Sequence, residues 1–336
     1  MTQSALQVEI QTPSLASLQQ LVNKDMGRVN EVMQRALASS VPLIPELGTH
    51  LMVAGGKRLR PMLTLAASHM CGAPLEDAAQ LAACVEFIHA ATLLHDDVID
   101  ESLLRRGRPT ANAVWGNKAS VLVGDFLFAR AFELMVAQGS LEVLALLSAT
   151  SVRLSEGEVL QLSMTGDLSV TRQGCVDIMS AKTAPLFEAA TGVAGILAGV
   201  DTVQKQGLLT YGRALGVCFQ IIDDILDYQG GDASFGKAVG GDLLERKVTL
   251  PVVLAYEKGS TSEQQFWRDV YDAGADQKEH LPKVLSLLSK YNAFDEAHRI
   301  AKGYGQEALG ALSVFQDSPA KAALEETVHF SLLRQN

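Results

Sequence analysis

Two short runs of aspartate are the residues of this chain best suited to chemistry. Asp96, Asp97 and Asp100 form DDVID directly after His95, and Asp223, Asp224 and Asp227 form DDILD. Both runs lie in apolar sequence, FIHAATLL before the first and ALGVCFQII before the second. A buried carboxylate is costly unless it is paired or binds a cation. On a helix, residues four apart lie about one turn apart on one face. Asp96 therefore shares a face with Asp100, and Asp223 with Asp227, while Asp97 and Asp224 flank them. Two such helices facing each other make a strongly negative pocket. Hard divalent cations want oxygen ligands, and magnesium takes a few carboxylates together with substrate phosphates. The competing reading, two exposed acidic turns on amphipathic helices, leaves the apolar flanks unexplained.

Cationic residues stand where phosphates would need them. Gly55-Gly56 precedes Lys57-Arg58-Leu59-Arg60, and Leu103-Leu104 precedes Arg105-Arg106-Gly107-Arg108. Backbone amides beside basic side chains make an anion site. For the first group a glycine cap followed by solvated charges remains an alternative. The arginines after DDVID can either neutralise the aspartates or hold phosphates that a metal bridges, for which arginine is well suited. Lys182-Thr183-Ala184-Pro185 and a glycine-rich loop carrying Lys237 and Lys247 complete the set.

Helices must position these residues. Apolar residues recur at helical spacing from Ser14 to Leu37, with residues 1–13 a loose lead-in. A short helix after Pro45 stops at Gly55, another runs from Pro61 to Cys71, and residues 75–102 form a long helix bearing the first motif. Further helices are expected at 118–138, 140–164 and 171–198, the last kinked at Pro185, where a backbone hydrogen bond is lost. Glycines 192, 195 and 199 suggest close helix contact. The second motif ends a helix over 201–229, and residues 248–258, 262–273, 279–291, 293–314 and 318–333 continue the pattern. No segment alternates with period two, so no strand is expected. The chain reads as one all-α domain over 1–336, a helical bundle with its site between helices.

With 336 residues and 48% hydrophobic content the core is ample, and with only 6% aromatics it must be aliphatic. A net charge of −10 argues against a nucleic-acid surface. Cys71, Cys84, Cys175 and Cys218 are scattered, which suits reduced thiols in a cytoplasmic protein. The first residues lack the basic start and apolar stretch of a secretory signal, and no membrane span is expected.

Several decoys compete. Gly231-x4-Gly236-Lys237 has Walker A spacing, but Ala238 stands where Ser or Thr should bind magnesium and the loop follows a helix. Glu86/His89 and Glu326/His329 have the spacing of di-iron bundles, a reading that leaves both DDxxD runs unexplained. His95-Asp96 with His89 suits a helical metal-dependent phosphohydrolase, which does not require DDILD. A non-catalytic partner subunit would be expected to have lost aspartates, and all six are present.

As a set, GGKRLRP, EFIHAATLLHDDVIDESLLRRG, AKTAPLFEAA, FQIIDDILDY and GKAVGGDL leading to KVTLP resemble the trans-isoprenyl diphosphate synthases, the polyprenyl synthetase family. The resemblance covers about Gly55 to Pro251 and implies an isoprenoid synthase-type bundle around a central cavity, usually a homodimer. It implies magnesium-dependent addition of isopentenyl diphosphate to an allylic diphosphate, with Asp96, Asp100, Asp223 and Asp227 as metal ligands and Asp97 and Asp224 beside them. By the same resemblance Lys57, Arg60, His89 and Arg106, with Arg58 adjacent, hold isopentenyl diphosphate. Arg105, Lys182, Thr183, Gln220, Lys237 and Lys247 hold the allylic diphosphate, Lys182 counting also as catalytic. Ala91 and Thr92, one turn before the first motif, are small. In the family bulky aromatics there accompany short products, so the pair resembles the octaprenyl to decaprenyl enzymes that supply quinone side chains. Farnesyl or geranylgeranyl synthesis is the alternative. Peripheral membrane contact for product release is compatible with this reading. One departure is Arg246, where glycine is frequent before the lysine, so the loop at Lys247 is where this chain can differ.

Overall fold

In the computed structural model, which describes residues 14–54, 56–105, 107–230, 239–272 and 274–334, nearly every element is a helix. The first half comprises α1 (Ala16–Leu37), α2 (Leu43–Ala54), α3 (Leu59–Cys71), α4 (Leu75–Ile99), α5 (Ala111–Trp115), α6 (Asn117–Gln138) and α7 (Leu141–Ser163). The second comprises α8 (Arg172–Lys182), α9 (Ala184–Ala198), α10 (Thr202–Gln229), α11 (Gly241–Leu244), α12 (Leu250–Lys258), α13 (Thr261–Val270), α14 (Gln277–Lys290), α15 (Ala293–Ala311) and α16 (Pro319–Leu333). Local chemistry sets the ends. Ser140, Thr171 and Asp201 cap α7, α8 and α10 by accepting from backbone N–H groups of the first turn, and Gly72, Gly139 and Gly199 end α3, α6 and α9 with positive φ.

The molecule departs from the sequence reading in several places, the short helices α5 and α11 among them. A two-residue hairpin, β1 (Leu104–Arg105) against β2 (Arg108–Pro109), follows the first motif, with Arg105 opposite Arg108. It is too short to leave a period-two signal. The expected kinked helix at 171–198 is two helices: the chain breaks at Thr183 (φ −103°, ψ −47°), and Pro185 lies in the first turn of α9, where its missing N–H costs nothing. The helix expected after Pro45 begins at Leu43, for the same reason.

Alanine and aliphatic side chains fill two adjoining cores. One gathers α1, α3, α4, α6, α7 and α9, and the other gathers α8, α10, α12, α14 and α15. α10 contributes to both. It lies against α9 closely enough that a Cβ on Gly212 would stand 2.4 Å from Phe187 O, and one on Gly216 would stand 2.7 Å from Ala184 Cα. Gly192 and Gly195 meet only leucine and other side chains, so the limiting glycines are on α10. α4 is the one described helix long and apolar enough to cross a membrane, but 61% of that window is buried inside the bundle.

Candidate active site

The first motif closes α4. Asp97 is buried and receives Nε and Nη2 of Arg105 at 2.9 and 2.8 Å. Asp96 lies beside it in a partly buried setting, and its carboxyl is pushed up to about 7. Burial is the main cause. The Lys182 ammonium pulls it down, while Glu158 and Asp100 push it up. Asp100 caps the helix, with Lys247 Nζ 3.1 Å from its Oδ2. Asn112, itself buried, donates to the carbonyls of Asp97 and Ser102 at 3.0 and 3.1 Å, and so ties the turn after the helix to its last residues. The hairpin carrying Arg105 is tied on its far side by His50 of α2, whose Nε2 lies 3.0 Å from Pro109 O.

The second motif lies near the end of α10 and splits by depth. Asp224 is buried, accepts from Gln220 Nε2 at 2.9 Å, and is pushed up to about 7 by burial. Gln220 in turn accepts from Thr183 Oγ1 at 2.8 Å, so the α8–α9 break is fastened to this motif. Asp223 is half exposed and receives Arg334 Nη2 at 2.7 Å. Asp227 accepts twice from the following loop, from Asp242 N at its side chain (3.0 Å) and from Gly240 N at its carbonyl (2.8 Å). That loop delivers Lys247 to Asp100, and so bridges the two motifs. Burial opposes the charge on Lys247, but Glu245 and Asp100 more than offset it and hold its pKa well above the usual lysine value.

A second basic cluster gathers on an aromatic floor. Arg60 Nη1 stands 3.1 Å from His89 Nε2, and its guanidinium lies 4.5 Å from the centre of the Phe187 ring. Phe187 packs on Phe219, and Arg334 lies 3.8 Å over Phe219. Lys57 Nζ stands 4.8 Å over Phe330. Cations over ring faces are held in place without losing their charge. Arg58 does not join this cluster. Its backbone is left-handed (φ 47°), which turns the side chain onto Asn30 and the carbonyl of Met52. Arg106 and Lys237 lie outside the described residues. Ala91 is fully buried, and Thr92 bonds back to His89 O at 2.8 Å.

The arrangement is a site in which cations are pre-seated against carboxylates, with an aliphatic core directly behind. The polyprenyl synthetase family profile matches residues 41–288. The chain belongs to that family. It is a prenyltransferase. It is 41% identical to the octaprenyl diphosphate synthase of Escherichia coli (strain K12) over 321 residues, 96% of this chain and 99% of that one. Among solved structures it superposes with TM-score 0.93 on a polyprenyl synthase from Caulobacter crescentus CB15 complexed with calcium and isoprenyl diphosphate. That protein is 42% identical, with 97% of this chain and 99% of that one covered. A decaprenyl diphosphate synthase from Rhodobacter capsulatus gives TM-score 0.90 at 44% identity, covering 96% and 100%.

Within this polyprenyl synthetase, sequence reasoning missed three residues that the fold brings in. Arg334 is the last described residue and reaches Asp223 from 111 residues away. Glu158 Oε2 lies 2.8 Å from Lys182 Nζ, where the sequence reading gave Lys182 no partner. Asn112 follows the first motif by 12 residues or more and carries no spacing signal. Nothing in local pattern marks such residues, because their partners are distant along the chain.

Proposed function

We propose that this long-chain polyprenyl diphosphate synthase adds isopentenyl diphosphate repeatedly to an allylic diphosphate, giving octaprenyl to decaprenyl products for quinone side chains. The observation that carries the reading is that residues 240–247 couple DDILD to DDVID, through Asp242 N on Asp227 and the Lys247–Asp100 pair. Two diphosphates need two cationic sites. Lys57, Arg60 and His89 suit isopentenyl diphosphate. Arg105, Gln220 and Lys247 bond to aspartates of the two motifs, Thr183 bonds to Gln220, and the Lys182 charge acts on Asp96, so these five suit the allylic partner.

The residues fit magnesium. Burial raises Asp96 and Asp224 toward neutral pH, so the carboxylates gain from a cation. Asp96, Asp100, Asp223 and Asp227 would hold it. With magnesium bound, the charge that develops on the leaving diphosphate is neutralised. Arg105, Lys182 and Lys247 steady the same group as the allylic C–O bond breaks. The alkene of isopentenyl diphosphate, held at Arg60 and Lys57, attacks the allylic cation, and the departed diphosphate takes up the proton that the new product loses. The aliphatic core behind both motifs keeps water from the cation. We read the enzyme as a cytoplasmic homodimer.

The test supplies labelled isopentenyl diphosphate, several allylic primers and magnesium, and sizes the products. The wild-type enzyme makes long chains. Asp96→Asn and Asp223→Asn, which keep shape and lose charge, lower turnover by roughly a hundredfold or more. Near-normal turnover of either variant at saturating magnesium rejects the metal roles, and no incorporation by the wild type rejects the reaction.

A further inference from the structure

Lys182 differs from the other cations of the site. Arg105, Lys247 and Arg334 each reach an aspartate of a motif, at Asp97, Asp100 and Asp223. Lys182 is instead held by Glu158, which belongs to neither motif. Both side chains are largely enclosed, 22% and 27% exposed. The contact is built by the backbone. Gly157 lets α7 lie directly on the last turn of α8, and a Cβ there would stand 2.6 Å from Ala181 C and Lys182 N. On the other side, the Thr183 hydroxyl is fastened to Gln220. Lys182 thus leaves a fixed backbone with two acidic neighbours in range, Glu158 on α7 and Asp96 on α4. Of the cations acting on Asp96, Lys182 acts most strongly, and Glu158 opposes it.

We propose that Glu158 is the positioning residue of Lys182: it holds the ammonium against α7, so that Asp96 stays open to a divalent cation and Lys182 is presented to the allylic diphosphate. This rests on the reading of Asp96 and Lys182 given above. Without Glu158 the ammonium is released to turn toward Asp96, on which its charge already acts. A lysine paired there competes with the metal for the same oxygens. Glu158 need touch neither substrate nor metal to act in this way.

The experiment measures Mg2+ binding to the full-length protein without substrates, by calorimetry, and KM for the allylic diphosphate. The variants are Glu158→Gln, Glu158→Asp, Lys182→Gln and Glu158→Gln/Lys182→Gln, each checked for native circular dichroism. Glu158→Gln is expected to weaken Mg2+ binding about fivefold and to raise the allylic KM similarly, on the scale of one net polar contact. In the Lys182→Gln background the same change leaves Mg2+ binding nearly unaltered. Glu158→Asp keeps the charge but loses reach, and shows part of the defect. Equal weakening in both backgrounds, with Glu158→Asp like wild type, means that only bulk charge matters and overturns the proposal. So does an unaltered Glu158→Gln. Asp96→Asn is the separate control: if it binds Mg2+ like wild type, the metal reading of Asp96 fails, and that failure is visible without any Glu158 variant.

Discussion

Arg246 stands at φ 56° on the turn that leads into Lys247. A left-handed residue other than glycine costs about 1–2 kcal/mol, which is the physical reason glycine suits this position. Here the side chain offsets the strain. Nε and Nη2 donate to Tyr271 O at 3.0 and 2.7 Å, and Arg246 O accepts from Gly166 N at 2.9 Å. The turn therefore keeps its form, and Lys247 reaches Asp100. Arg246→Gly exchanges the relief of strain for the lost bonds, each worth about 1 kcal/mol net, and is expected to keep kcat/KM and melting temperature close to wild type. Arg246→Val keeps the strain, adds a β-branch and has no bond to offer. It should lose about 2 kcal/mol or more and weaken allylic diphosphate binding. Thermal melts with steady-state kinetics decide the matter: a Val variant as stable as the Gly variant contradicts this account.

At the scale of the element, α4 does two jobs along one helix. Its C-terminal turn carries the aspartates, and one turn back it presents Ala91 and Thr92. A chain growing away from Asp96 toward the helix's N-terminal end would pass these positions. Ala91 is fully enclosed, so its small size also serves the packing of neighbouring helices. Ala91→Phe inserts a ring where only a methyl fits, at about 1–3 kcal/mol of stability. A folded variant should perform the first condensations and stop at shorter products, read by sizing radiolabelled chains. A folded, active variant that still makes full-length product places the growing chain elsewhere. A recess of about 30 Å3 borders α4 at Glu86, Phe87 and Ala90, and opens against Met33, Leu37 and Met52 on the α1–α2 side.

For the whole molecule, the outer faces of α6 and α7 leave several large apolar side chains uncovered. Leu122 and Val136 on α6 are 66% and 64% exposed, and Val152, Val159 and Leu162 on α7 are 56%, 67% and 62% exposed. Exposed apolar side chains on neighbouring helices suit an association site, and a two-fold pairing would cover the same residues on both copies. Val159 follows Glu158 directly, so the turn of α7 that holds Lys182 inward would meet a second copy outward. Val159→Glu places a charge in that face and is expected to yield a monomer, with wild type a dimer, by light scattering across a concentration series. A variant of unchanged mass removes α7 from the interface.

The sequence by itself determined the all-α class, most helix spans and the two aspartate motifs, because helical period and i, i+4 spacing are local properties of the chain. It also carried the family through the order of its motifs. It could not divide the aspartates into buried Asp97 and Asp224 and half-exposed Asp223, since burial depends on what packs against each face. It placed Arg58 with the binding residues, whereas a left-handed backbone turns that side chain onto Asn30. The partners of Lys182, Asp223 and Pro109 are Glu158, Arg334 and His50. They are 24, 111 and 59 residues distant, so only the tertiary packing of the helices could bring them together.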